Sequence, residues 1–111
     1  MFAARSKSGR IVRLTKTTWY DKILVGHPEF AEKPEYLEEV KRSVKDPDYI
    51  VGGWMGEKLA LRRCEIAPRK PKHLCVVYRE INDEGRIITA FFTSKYEKLL
   101  RRGVLWRRKQ S

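Results

Sequence analysis

His27-Pro28-Glu29 sets one of only two histidines at the end of a predicted helix, in a chain of formal net charge +11. Pro28 disfavours helical geometry in the residue before it, so the His27 imidazole is expected at a helix stop, close to orphan carbonyls and solvent. Histidine has the ordinary pKa nearest neutrality, which suits it to taking up and returning protons. Beside a bound polyanion that is acid–base chemistry; without one, the same residue only caps carbonyls. Glu29 is positioned either to orient the imidazole or to complete a turn after the proline. Cys64 and Cys75 form no C-x-x-C pair and are expected as reduced, buried thiols. Together with His73 they offer three zinc ligands at a spacing that matches no common site, so neither a metal nor any other cofactor is expected.

The charge narrows the partners. Twenty-five Lys and Arg against fourteen Asp and Glu give a sequence pI near 10.0. Such a field favours nucleic acid or an anionic membrane. The sequence has no apolar run long enough to span a bilayer, no signal-peptide core and no long basic amphipathic stretch, so RNA or DNA in the cytoplasm is the expected setting. With 111 residues, 41% hydrophobic, the chain is long enough for one modest core. A single domain is expected over residues 10–106, with basic flexible tails at 1–9 and 107–111.

The elements that must position these residues follow from the local pattern. Arg10 to Thr15 alternates apolar and charged residues and reads as a strand. Thr17 or Thr18 can cap a helix carrying Trp19, Tyr20, Ile23 and Leu24, with Asp21 completing a capping box, and this helix stops at His27-Pro28. A second helix opens at Pro34 with Glu35, Glu38 and Glu39 early and Lys41, Arg42 and Lys45 late, which complements its dipole. Leu37, Val40 and Val44 mark its core face, and Asp46-Pro47-Asp48 ends it. Tyr49 to Trp54, Lys58 to Ile66, His73 to Ile81 and Arg86 to Ser94 then read as strands between Gly- or Pro-bearing turns. A short helix over Ser94 to Arg102 and an inward-packing Trp106 close the order. The expected architecture is α+β: two N-terminal helices on one face of a four- to five-stranded, mostly antiparallel sheet.

The turns predict which side chains share a face. A type I turn at Asn82-Asp83-Glu84-Gly85, with Gly85 left-handed in a bulge, pairs Asn82 with Arg86, Arg79 with Thr89 and Val77 with Phe91. A hairpin symmetric about Arg69-Lys70 sets Cys64 opposite Cys75 and Arg62 opposite Val77. One face then carries Leu59, Leu61, Leu74, Val76, Tyr78, Ile88, Ala90 and Phe92 as a core for the helices. The other carries Lys58, Arg62, Arg79, Thr89 and Thr93, with Val77 and Phe91 between them.

His27-Pro28-Glu29, Asp46-Pro47-Asp48-Tyr49-Ile50, Cys75-Val76-Val77-Tyr78-Arg79 and Ile87-Ile88-Thr89-Ala90-Phe91 resemble the phage-type nucleases of the barnase, EndoU, colicin and RelE (BECR) superfamily. The resemblance covers residues 10–106 in element order. It implies a metal-independent endoribonuclease with RNA on the open sheet face, in which His27, Arg79 and Thr89 match the superfamily's functional positions. Arg62 enters through the face argument alone.

RNA carries its own nucleophile, so cleavage requires removal of the 2′-hydroxyl proton, stabilisation of phosphoryl charge and protonation of the leaving 5′-oxygen. His27 would serve as base or acid, Arg79 and Arg62 would hold the phosphoryl oxygens, and Thr89 would orient the phosphate. Lys58, Phe91, Thr93 and Trp54 are the expected nucleic-acid contacts, Trp54 as a stacking platform or, alternatively, as a plug at the core edge. Each candidate also has an ordinary structural explanation: solvated arginines on a sheet, a β-branched strand threonine, a capping histidine. A non-catalytic RNA- or DNA-binding module explains the charge equally well and needs nothing from His27. A toxin silenced by an acidic antitoxin or immunity protein is compatible with the nuclease and adds a protein partner.

Overall fold

Residues 1–109 are described by the computed structural model; Gln110 and Ser111, the end of the expected C-terminal tail, lie outside the described residues. The chain opens with a hairpin of Phe2–Arg5 (β1) and Ile11–Leu14 (β2), in which buried Ala4, Val12 and Leu14 alternate with outward residues. The N-terminal ammonium donates to the Leu14 carbonyl at 3.0 Å. Residues 1–9 are thus not the flexible tail expected of them, because Phe2 and Ala4 supply a period-two apolar face that only pairing can bury.

A π-helical stretch, Thr18–Ile23, runs into a single α turn, Leu24–Gly26 (α1). Its start is held by Thr15, whose hydroxyl accepts the Thr18 amide at 3.1 Å, in place of the expected cap at Thr17 or Thr18. His27 ends the segment as expected, at φ −138° and ψ 75°, and Pro28–Ala31 follows as a 3₁₀ turn. Glu35–Lys45 (α2) buries Tyr36, Val40, Ser43 and Val44 on one stripe. Strands Tyr49–Gly52 (β3), Lys58–Cys64 (β4), Lys72–Ile81 (β5) and Glu84–Thr93 (β6), a short helix Tyr96–Leu100 (α3) and Val104–Arg107 (β7) complete the chain.

The fold is α+β, but its sheet has seven strands in the order β1-β2-β6-β5-β4-β3-β7 and is mixed, since β2 runs parallel to β6. The expected four to five strands omitted both edges, and a hairpin precedes the two helical segments. The sheet curls so far that Lys7, in the β1–β2 turn, lies 5.1 Å over the Trp106 ring on β7, the opposite edge. Arg107, expected in a tail, belongs to β7, and Arg108 binds Asp46 and Asp48.

The inner face holds the larger core. Trp19, Ile23, Phe30, Tyr36, Val40 and Val44 meet Val12, Leu14, Ala60, Leu74, Val76, Tyr78, Ile87 and Ala90 there. Phe30 stacks on Phe92 at 4.7 Å, and the Tyr36 hydroxyl donates to the Ile66 carbonyl at 2.7 Å. Glu80, its side chain only 2% exposed, tethers the β1–β2 turn by accepting from Ser6, Ser8 and Lys58. Burial alone would raise the Glu80 carboxyl, yet those hydrogen bonds outweigh it and hold it below the ordinary range.

Two expected registers are corrected. Between β5 and β6 the turn is Asn82-Asp83, with Ile81 opposite Glu84, and the left-handed residue is Asn82 at φ 57°. Asn tolerates that conformation, so Gly85 is free to sit inside β6. A bulge next to Val77 then pairs Val77 with Thr89 and Arg79 with Arg86, where Thr89 was expected opposite Arg79. Between β4 and β5 the ladder ends at Cys64 and Lys72, just before Pro71, which has no amide to donate. The ladder therefore slips by an odd number of residues from the expected pairing, and β4 shows its other face. Leu59 and Leu61 join Cys75 and Val77 on the outer face, where Tyr96, Leu99 and Leu100 from α3 cover them. The outer face is consequently not free of helices along its length. Only the part over β2, β6 and the end of β5 stays open.

Candidate functional site

Three arginines from three adjacent strands stand side by side on that open part. Arg13 of β2 is the partner of Arg86 on β6, and Arg86 is the partner of Arg79 on β5. At a strand spacing near 4.8 Å the row spans roughly 10 Å. Like charges directly opposite one another destabilise a sheet, so nothing in folding favours the arrangement. Arg13 and Arg86 are exposed and make no ion pair among the described residues.

The row exists because β2 can approach β6 closely. A Cβ on Gly85 would lie 2.8 Å from Val12 Cγ2 and 3.3 Å from the Arg79 carbonyl oxygen. Glycine is required at that position for the parallel pairing that aligns Arg13 with Arg86.

Around the row lies a groove of about 830 Å³, lined by Thr15, Thr18 and Lys22 on one side and by Glu57, Arg79, Arg86 and Ile88 on the other. Arg79 is held by the loop between β3 and β4: its Nη2 donates to the Met55 carbonyl at 3.3 Å and lies 4.0 Å from Glu57. Its Nε is shut off from solvent with no acceptor, so the protein itself leaves this guanidinium only partly satisfied. Glu57 accepts the Met55 amide, and those backbone hydrogen bonds, with Arg79 beyond them, keep its carboxyl below the ordinary range.

His27 meets the other end of β6 through Phe91. Its ring lies 6.2 Å from that of Phe91, which shares the outer face with Thr89 two residues away. His27 Nδ1 stands 3.8 Å from Glu29 Oε1, a buried oxygen with no hydrogen-bond partner. At 3.8 Å this is an ion-pair distance and not a hydrogen bond, and it sets the Glu29 carboxylate beside the ring nitrogen. Phe91 and Arg86 are separated by roughly 16 Å along β6 at about 3.3 Å per residue. His27, Phe91 and Thr89 therefore form one end of a track whose other end is the arginine row.

The remaining expected residues fall elsewhere. Arg62 points to the inner side with Leu74 as its partner, not Val77, because of the odd register slip. There its Nη1 donates to the Asp46 carbonyl at 2.6 Å, at the end of α2. Arg62 Nη1 also lies 3.3 Å from the Asp46 carboxylate, which Arg108 reaches at 2.7 Å, and although burial opposes it, the Arg108 bond together with the charges of Arg108 and Arg62 lowers the Asp46 pKa. Lys58 is committed to Glu80 at 2.6 Å. The Thr93 hydroxyl accepts the Lys95 amide at 3.0 Å in the turn ahead of α3 and is committed to that turn. Trp54 is 63% exposed, so it does not plug the core edge. Sequence reasoning missed Arg13, Arg86 and Lys22; the alternation of Arg13 with Val12 and Leu14 was the one available signal, and it needed the parallel pairing to gain meaning.

A second groove, about 420 Å³, is lined by Glu35, Glu38, Glu39, Arg42, Arg62, Arg63 and Glu65. Arg42 pairs there with Glu39, Arg63 with Glu65 and Arg62 with Asp46, so this groove has no row of unpaired cations like that of the outer face. Cys64 faces the inner core and Cys75 the outer one, and burial pushes their thiols up to about 11 and about 12. His73 is buried under Tyr96, ring to ring at 3.7 Å, and this burial lowers its pKa. Among the described residues no three His, Cys, Asp or Glu side chains gather as a metal site. No described helix is long and apolar enough to cross a membrane. Compared with models of known protein families, with curated proteins and with solved structures, the chain matches none.

Proposed function

We propose that the chain binds a strand of RNA along the outer-face track and cleaves it, without a metal, at the His27 end. The observation that carries the reading is the row Arg13, Arg86 and Arg79, three cross-strand neighbours opening on one groove with Lys22 beside them. A row of planar cations that costs stability and lacks sufficient internal carboxylates is suited to phosphates. The resemblance of His27-Pro28-Glu29 and of the strand motifs to the barnase, EndoU, colicin and RelE superfamily implies the same substrate. Cytoplasmic RNA is the proposed target, and an acidic antitoxin or immunity protein would compete for the same face.

In this reading Arg79 serves binding with Arg86 and Arg13, on phosphates further along the strand than the one that reacts. At the other end, His27 takes the proton from the 2′-hydroxyl as the 2′-oxygen attacks phosphorus. The bond from phosphorus to the 5′-oxygen breaks, and that oxygen takes a proton from water, leaving a 2′,3′-cyclic phosphate and a 5′-hydroxyl. Glu29 orients the imidazole, and Thr89 is the hydroxyl nearest along the strand to hold the phosphate.

A non-catalytic binding module uses the same groove and ignores His27. Incubating the protein with RNA in excess chelator, followed by analysis of product ends, separates the two. Cyclic phosphate and 5′-hydroxyl ends establish the nuclease; intact RNA held in a salt-sensitive complex establishes the module; 5′-phosphate ends refute the chemistry. His27→Ala is expected to slow cleavage by about 10²- to 10⁴-fold with RNA affinity preserved.

A further inference from the structure

Beyond Arg79 the track ends on the loop that joins β3 to β4, and there the structure presents an indole in an unusual way. Trp54 and Met55 are 63% and 78% exposed. A large aromatic at the tip of a mobile loop would carry little meaning, but this loop is tied at every turn. The Gly53 amide donates to the Glu57 carbonyl at 2.8 Å, the Met55 amide to the Glu57 carboxylate, and the Gly52 amide to the Gly103 carbonyl at 3.1 Å. Arg79 binds the Met55 carbonyl, and Arg102 Nε donates to the Gly52 carbonyl at 3.0 Å.

The glycines are needed for this shape. Gly56 has φ +86°, and a Cβ on Gly53 would stand 3.0 Å from the Glu57 backbone oxygen and side chain. One side of the indole is occupied by the Arg102 guanidinium, 4.1 Å from the ring centroid. With 63% of the residue accessible, the opposite side remains open to a flat ligand. A rigid loop therefore holds an aromatic face out in water, beside cations on both flanks.

We infer that Trp54 is a base-stacking platform, so that the ligand of the groove is single-stranded rather than duplex RNA. The inference rests on the reading of the groove as an RNA site and deepens it by naming the form of the strand. Phosphates on the arginine row leave the next nucleotide's base free to turn onto the indole, and only an unpaired base can do so. Arg102, already stacked on the far side, makes the sandwich cation, indole, base. A protein partner on Trp54 and Met55 is the competing occupant; the flanking Arg79 and Arg102 favour the nucleotide.

The test uses a single-stranded 2′-O-methyl oligonucleotide, which lacks the nucleophile and so is not cut, carrying 2-aminopurine, and the matching duplex. The wild-type chain is expected to bind the single strand more tightly and to quench the 2-aminopurine. Trp54→Ala should lose that quenching and about 5- to 100-fold in single-strand affinity, with duplex affinity unchanged, while Trp54→Phe keeps part of both. Single-strand affinity that survives Trp54→Ala but falls in Arg86→Ala overturns the platform and leaves the groove reading standing. Absence of binding to either probe by the wild-type chain overturns both.

Discussion

Gly85→Ala adds one methyl group at the contact on which the arginine row depends. Its Cβ would meet Val12 Cγ2 at 2.8 Å and the Arg79 carbonyl oxygen at 3.3 Å. Val12 cannot swing away, since it is fully buried among the inner-face core, and the Arg79 carbonyl belongs to the neighbouring strand. The strands must part, at the cost of overpacking a close-packed interior, about 1–3 kcal/mol. For a domain of this size that is a fall in Tm of roughly 4 °C per kcal/mol. Part of the loss is relieved if room is made: in Val12→Ala with Gly85→Ala the clashing methyl is gone, so the double change should cost less than the sum of the singles by about 1 kcal/mol. Urea denaturation of the four proteins measures the coupling, and RNA titration follows the function. Separation of β2 from β6 takes Arg13 out of the row, so affinity should drop alongside stability and recover in the double variant. A Gly85→Ala protein as stable as wild type, or fully additive costs, refutes the close-approach argument.

Three other outcomes follow from the same geometry. Arg86→Gln removes the middle charge of the row and should raise stability by a few tenths to 1 kcal/mol while weakening RNA binding and lowering the salt slope by about 0.7; equal stability with unaltered affinity would remove the row from function. Arg62→Ala strips a donor from the Asp46 carbonyl and should cost about 1–2 kcal/mol in urea denaturation with RNA affinity unchanged; a loss of affinity matching that of Arg86→Ala would place Arg62 back on the binding face. Acidification tests Glu80, whose folded pKa is lowered: its contribution is complete above the ordinary carboxylate pKa and disappears as pH falls through the lower folded value. Wild type should therefore lose stability as pH falls from just above the ordinary carboxylate pKa of about 4.3 through the lower folded value, more steeply than Glu80→Gln, and parallel curves would contradict the linkage.

What could be read in the sequence was whatever one segment decides for itself. The helix stop at His27 follows from Pro28, the polarity of α2 from Glu35 to Lys45, and the strand character of residues 72–81 from their own side chains. The expected inward packing of Trp106 is not what forms: its strand joins the sheet edge, but the half-buried ring belongs to neither core and carries Lys7 over its face. What failed depended on a second segment. β1 and β7 are four residues each and become strands only by pairing, and the parallel contact of β2 with β6 joins segments some seventy residues apart through Gly85.

The site was hit hardest by this division, because a face is a property of a ladder and not of a strand. Pro71 ends the β4–β5 ladder early and turns Arg62 to the inner side, where Asp46 needs a donor. Asn82, by taking the left-handed place, releases Gly85 into β6 and moves Arg79 from Thr89 to Arg86. The two slips act in opposite senses on the candidate set. One removes a cation from the outer face; the other assembles three cations in a row that no single segment announces. The same slip of β4 exposes Leu59 and Leu61 on the outer face, and α3 must then cover them, which confines any ligand to the track from His27 through the arginine row to Trp54. The outer face is thus divided between the apolar patch under α3 and the groove over β2, β6 and β5, whose charge comes from arginines that folding alone would keep apart.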